Sequence, residues 1–275
     1  MLFEFSSCNK DITIQREVDN PTLTLRITNP FDYFGVSHNN KMDYVAGMTG
    51  FDTASLQSRF TYGNGYSDVY FSSYTGVWSH HTSTIGICID FANNTQTPAS
   101  VLFASGQIDA SMTSIVFKMD SIFDHAIDVT NETYKSVAQF TSEVEYIEGL
   151  IANMTPYSYN STTKVGNKTA FLLGGCAIAK HSYAYWIGAA NDVNSPWHTK
   201  LDEITSLGYS FSGDNQLDAR DCPPWLKRIG RAIKVAAVDV WGFIAAEDCG
   251  KSTYPSGYDL GCAWENAGDK SGGVN

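Results

Sequence analysis

The sequence predicts a mainly α fold: an antiparallel helical bundle with short N-terminal β-strands in an extended arm and one long aromatic loop. Three observations predict it. Apolar residues recur at steps of three and four through most of the second half of the chain. Two such series are separated only by a short polar link, the pattern of a helical hairpin. Before residue 29 the apolar residues instead alternate with polar ones, in runs too short for helices. The 275 residues are enough for one large domain with ample core, and they contain neither a repeat of roughly 20–50 residues nor a clear linker. The expected division is an arm over 1–28, a helical domain over 29–250 and an irregular tail over 251–275.

Taken in order, residues 11–28 read "DITIQREVDNPTLTLRIT", where Ile12 and Ile14, then Leu23, Leu25 and Ile27, keep period two. Asn29-Pro30 ends that pattern. From Asp32 the spacing turns helical: Phe34, His38, Met42, Val45 and Met48 form one face, and Asp32 or Asn29 can cap it. Residues 49–83 are rich in Tyr but broken by Gly, Ser and Thr, and read as a long surface loop. "TIGICIDF" at 84–91 is too short for its periodicity to separate a buried strand from a helix segment. The hairpin follows. Its first series is Ile108, Met112, Ile115, Met119, Ile122 and Ala126; its second is Val137, Phe140, Val144, Ile147, Ile151 and Met154. A third helix is expected over about 170–190, with Leu172, Cys176, Tyr183, Ile187 and Ala190 along one side, stopped by "NSPWH". A fourth is expected over 224–248, with Pro223 and Pro224 at its first turn and Gly250 at its end.

Composition limits what such a bundle can do. Net charge is −11, and phosphate binding needs clustered Lys and Arg, so no nucleic-acid partner is expected. Charged residues make up only 17%, so the polar surface leans on Ser, Thr and Asn, a palette of secreted and surface proteins. No run approaches the ~18 apolar residues of a transmembrane helix. The six cysteines form no CxxC pair, which disfavours a zinc site of the usual spacing. Cys249 and Cys262 close a Gly, Pro and Tyr-rich loop, and a disulfide there would stabilise by roughly 3 kcal/mol. Cys222 pairs poorly with Cys249, because the helix expected between them rises ~1.5 Å per residue and holds them far apart, and the competing reading of the cysteines is free buried thiols.

Candidate chemistry is sparse. His38, Asn39 and Asp43 are the candidate catalytic residues, with His38 as a general base held by a carboxylate. On a helix, however, His38 and Asp43 are five residues apart and point to different faces. The competing reading makes His38 a core-edge histidine at the joint between arm and bundle. His80, His81, His125 and His181 show no HxxxH or HExxH spacing, so neither a metal site nor a cofactor is expected. The fourth helix carries Lys227, Arg228, Arg231 and Lys234 before a nearly apolar second half, so it suits either a membrane-active element or a buried bundle helix. In the buried reading, its basic turns bind the protein's own carboxylates.

Two resemblances bear on location. "MLFEFSSCNKD" resembles the tail of a Bacteroidota lipoprotein signal peptide, which would make Cys8 the lipidated residue, although the basic n-region and full apolar h-region are missing. "NPFDYFGVSHNNKMDY" (29–44), "AIAKHSYAYW" (177–186) and "GRAIKVAAVDVWG" (230–242) together resemble a group of exported Bacteroidota proteins of uncharacterised function. The chain departs from that group in lacking a long Gly/Ala-rich continuation after Gly242. The resemblance implies an exported helical protein and supplies no activity. Five Asn-x-Ser/Thr sequons, at Asn93, Asn131, Asn153, Asn160 and Asn167, fit an exported protein but also arise by chance in so polar a chain.

The expected function is that of an extracytoplasmic structural or interaction protein without catalysis. Its partners would be other surface proteins or copies of itself, and it would touch a membrane only through a lipid anchor. Tyr62, Tyr66, Tyr70, Tyr74 and Trp78 of the aromatic loop are the candidate self-association residues. Two alternatives remain open: a secreted hydrolase using His38 with a distant carboxylate, and a membrane-active toxin using helix 224–248.

Overall fold

The computed structural model describes residues 28–47, 98–104, 106, 108–162, 165–203, 222–244, 258–260 and 263. The predicted N-terminal strands, the aromatic loop with Tyr62, Tyr66, Tyr70, Tyr74 and Trp78, and Cys8, Cys249 and Cys262 lie outside these residues. The fold is a helical bundle. Seven helices are described: α1 Asp32–Ala46, α2 Pro98–Ala104, α3 Ala110–Asp124, α4 Val137–Ala152, α5 Lys168–Asn191, α6 Pro196–Glu203 and α7 Pro224–Ile244. Two antiparallel two-residue sheets accompany them, β1 Ile127–Asp128 with β2 Thr133–Tyr134 and β3 Val165–Gly166 with β4 Tyr258–Asp259.

The helical hairpin is α3 and α4. Met112, Ile115, Met119 and Ile122 of α3 are buried, as are Phe140, Val144, Ile147 and Ile151 of α4. Each helix starts at a polar cap. Asp109 accepts from the Ser111 and Met112 amides, and Ser136 forms a reciprocal capping box with Gln139. Between them β1 and β2 pair Ile127 with Tyr134 and Asp128 with Thr133, and Glu132 closes the turn with φ 52°.

The third helix differs from its expected one-sided burial. α5 packs against α1, α4, α6 and α7, and residues Thr169–Ala179 are buried without a break. A helix buried all round loses its amphipathic period, so the pattern that marked α3 and α4 so clearly is faint here. "NSPWH" ends α5 as predicted, but Pro196 then opens the short helix α6, since proline suits a first helical position. At the start of α1, neither Asp32 nor Asn29 caps. Phe31 holds the N-cap position without a side-chain bond, while Asn29 Oδ1 accepts from the Phe31 amide at 2.9 Å.

Within the stretch read as an irregular tail, Tyr258 and Asp259 pair with Gly166 and Val165, and Leu260 is fully buried. The Tyr258 ring stacks on Phe171 with centroids 4.6 Å apart. A small apolar clasp therefore fastens the chain beyond residue 250 to the start of α5.

Candidate functional site

The three stretches singled out in the sequence meet in space. "NPFDYFGVSHNNKMDY" supplies α1, "AIAKHSYAYW" lies in the second half of α5, and "GRAIKVAAVDVWG" forms most of α7. Contact between α1 and α5 is unusually close. A methyl group at Gly35 would lie 2.5 Å from the Ala177 carbonyl oxygen and 2.5 Å from the His181 ring, so only glycine allows the two backbones this near.

Two polar clusters occupy that interface. In the first, Asp239 of α7 is fully buried, and its Oδ2 accepts from Ser182 Oγ and, at 2.9 Å, from Trp186 Nε1. His38 Nε2 lies 3.5 Å from the same oxygen. Asn39 Nδ2 donates to the His181 carbonyl at 3.0 Å, which leaves its Oδ1 facing His38 Nδ1 at 3.2 Å. Both ring nitrogens of His38 thus face oxygen acceptors. Carboxylate oxygen Oδ1 of Asp239 is buried without a hydrogen-bond partner.

In the second cluster Lys180 bridges two helices. Its Nζ lies 2.8 Å from Asp32 of α1 and 2.9 Å from Glu148 of α4. Asn29 Nδ2 completes the cluster, donating to Glu148 Oε1 at 2.6 Å and to the Leu173 carbonyl at 2.8 Å. Burial pushes the Glu148 carboxyl up, against the opposing pull of Lys180 and Asn29. Burial works the same way on Asp32, but there the hydrogen bonds and charges of His181 and Lys180 prevail and hold the group below its ordinary range. For Lys180, burial would lower the value, yet its two carboxylates raise it. Desolvation drives the buried Cys176 thiol well above its usual value, as burial in an apolar core does.

His38 therefore has the distant carboxylate that a hydrolase would need, but not the arrangement. In a nucleophile–base pair the hydroxyl bonds to the imidazole, and the carboxylate orients the far ring nitrogen. Here Ser182 donates to Asp239 and not to His38, and all of His38, Ser182 and Asp239 are shielded from solvent. Asn39 faces His38 and binds α5. Asp43 is exposed and accepts from Tyr185 Oη at 2.8 Å, and Tyr185 in turn accepts from Trp197 Nε1 at 2.8 Å. As the five-residue spacing implied, Asp43 plays no part in holding His38. Together these contacts tie α1, α5, α6 and α7 into one unit.

No protein-family model, curated protein or solved structure matches the chain. What the site can do must come from its own chemistry. Among the described residues no group of three His, Cys, Asp or Glu side chains is placed to hold a metal ion. Also among them, no helix is long and apolar enough to cross a membrane. The basic turns of α7 bind the protein's own acid as expected, with Arg228 bidentate on Asp202 at 2.9 and 2.5 Å.

Sequence reasoning missed Glu148, Lys180 and Asp32 as a unit. One signal was present: Glu148 stands four residues after Val144 on the apolar stripe of α4, and Asp239 interrupts the apolar run of α7. A charged residue at a core position announces a partner but cannot say which helix supplies it.

Outside these two polar clusters, the beginning of α1 shows a different surface. Phe31 is fully buried, and the rings of Tyr157 and Tyr159 meet it edge-on at 5.6 and 5.2 Å. Tyr33 Oη bonds to Tyr159 Oη at 3.1 Å. Tyr33 and Tyr157 remain 47% and 53% exposed, and Val36, one turn on from Tyr33, is 46% exposed.

Proposed function

We propose that the chain is a cell-surface structural or interaction protein without catalysis, associating with copies of itself through exposed aromatic rings. The observation that carries this reading is the rigid display of Tyr33 and Tyr157. Both rings rest on aromatic neighbours, so little side-chain freedom remains to be lost when a partner covers them. Tyrosine is enriched at interfaces because one end of the ring is apolar and the other hydrogen-bonds. The polar side chains of the Asp239 and Lys180 clusters are used within the bundle, which suits a scaffold. The surface location rests on the N-terminal stretch around Cys8 and on its resemblance to exported proteins. Sedimentation velocity over a concentration series tests the association. Wild-type protein should assemble with rising concentration, and the Tyr33→Ser/Tyr157→Ser variant should not. A wild-type protein that stays monomeric throughout defeats the reading.

A second reading, a hydrolase using His38, is favoured by the 3.5 Å approach of Asp239. It requires α1 to lift and expose the ring. Hydrolysis of an ester or peptide panel by the wild-type protein, abolished in His38→Ala, would establish it; a His38→Ala protein with unchanged activity would remove it.

A further inference from the structure

The first turns of α7 carry the densest run of positive charge in a chain whose net charge is −11. Lys227, Arg228, Arg231 and Lys234 fall, at about 100° per residue, in one sector roughly 120° wide. Trp225 adjoins Arg228 at the N-terminal edge of that sector and is 44% exposed. On the opposite side Leu226, Ile229 and Ile233 are buried in the core. One carboxylate, Asp202, serves both Arg228 at 2.5 Å and Arg231 at 3.8 Å, so the two guanidiniums keep a net positive charge between them. Beyond the third turn this side of the helix closes, since Val235 and Val238 are buried. Only the beginning of α7 meets solvent, and the rest is held in the bundle.

We propose that these first turns dock the folded protein on an anionic lipid bilayer, with Lys227 and Arg231 against lipid phosphates, Arg228 held by Asp202 behind them, and Trp225 at the headgroup boundary. Charge complementarity carries the choice of partner. With a Debye length of about 8 Å the charges nearest the bilayer weigh most, and among Lys227, Arg228 and Arg231 the single carboxylate of Asp202 offsets one of three cations. The tryptophan favours a membrane over a nucleic acid, because an indole ring settles at a lipid–water boundary. A short patch on an acidic protein also offers an extended polyanion little to bind. Docking is peripheral, because the apolar length of α7 is already used inside the protein. The inference is independent of self-association through Tyr33 and Tyr157.

Vesicle flotation tests it. The 275-residue chain is mixed with vesicles of phosphatidylcholine alone, or of phosphatidylcholine and phosphatidylglycerol at roughly two to one, in about 0.1 M salt. It should float with the second and not the first, and be released near 0.5 M salt. Each unit of charge removed from such a patch lowers binding about five-fold, so Lys227→Glu should lose about twenty-five-fold and Lys227→Gln about five-fold. Trp225→Ser should weaken binding several-fold while leaving its dependence on anionic lipid intact. Circular dichroism confirms folding, and if Lys227→Glu does not fold the Gln variant decides. Equal flotation with both vesicles, no flotation, or full binding by the Lys227 variants overturns the proposal. So does displacement by millimolar inorganic phosphate, which marks a free-anion site, or tighter binding to duplex DNA than to vesicles.

Discussion

Replacing Lys180 with Met removes a charge from between two carboxylates and keeps most of the side-chain volume. Asp32 is 41% exposed and water can take over its solvation, but Glu148 is fully buried and cannot be rescued this way. At 2.9 Å, with an effective dielectric of about 20, the Lys180–Glu148 attraction is roughly 6 kcal/mol before desolvation. Breaking a buried pair from one side typically costs about 3–5 kcal/mol, because the remaining charge is left without compensation. For a chain of this size that corresponds to a fall in melting temperature of about 6–20 °C. The deficit should also depend on pH. Glu148 already sits above its ordinary carboxylate value, and losing Lys180 raises it further. A carboxyl raised in this way binds more protons folded than unfolded, so its burial begins to cost stability as the pH rises past its ordinary value and costs it in full above the folded one. Acid relieves that cost. Thermal unfolding followed by circular dichroism should therefore show a Lys180→Met deficit that is largest near pH 8 and shrinks toward pH 5. Lys180→Met/Glu148→Leu, which removes both charges, should recover most of the loss. A Lys180→Met protein melting within about 2 °C of wild type at every pH would refute the buried-pair argument.

Other perturbations reach different parts of the same architecture. Gly35→Ala drives a methyl group into the Ala177 carbonyl oxygen and should cost about 1–3 kcal/mol or more, with faster amide hydrogen exchange across α1 than across α3 and α4. Asp239→Ala leaves the Ser182 and Trp186 donors buried without an acceptor and should cost about 2–5 kcal/mol in chemical denaturation, whereas Asp239→Asn, which keeps an acceptor, should cost less. Leu260→Ala should lose about 2–5 kcal/mol of thermal stability, and unchanged stability would mean that the clasp of β4 on β3 contributes nothing. At the start of α3, hydrogen bonds from Ser111, joined by the Met112 amide and Lys168, hold Asp109 below its ordinary value of 3.8. Its contribution is present above that value and fades as the pH falls through the folded one, so Asp109→Ala should cost about 1 kcal/mol at neutral pH and less in strong acid.

How much was legible depended on how each element is buried. α3 and α4 each bury one side, so their apolar residues keep a helical period and could be placed closely from the sequence. α5 buries nearly every side, its period fades, and its central position had to come from the fold. α6 was hidden because "NSPWH" signals a helix end, and proline serves a new start equally well. For the site, helical geometry alone separated His38 from Asp43. It could not supply Asp239, which lies 201 residues later in the chain.

Periodicity and caps, which act between residues a few positions apart, determined the helical class, the α3–α4 hairpin and the inward face of α1. The tertiary structure alone decided which charges meet. Lys180 could have served any carboxylate, and His38 any acceptor, until the packing of α1 and α7 on α5 brought Asp32, Glu148 and Asp239 to them. The physical reason is range. A helix is specified by neighbours within one turn, whereas a buried ion pair is specified by the desolvation that penalises every arrangement in which the partner is missing.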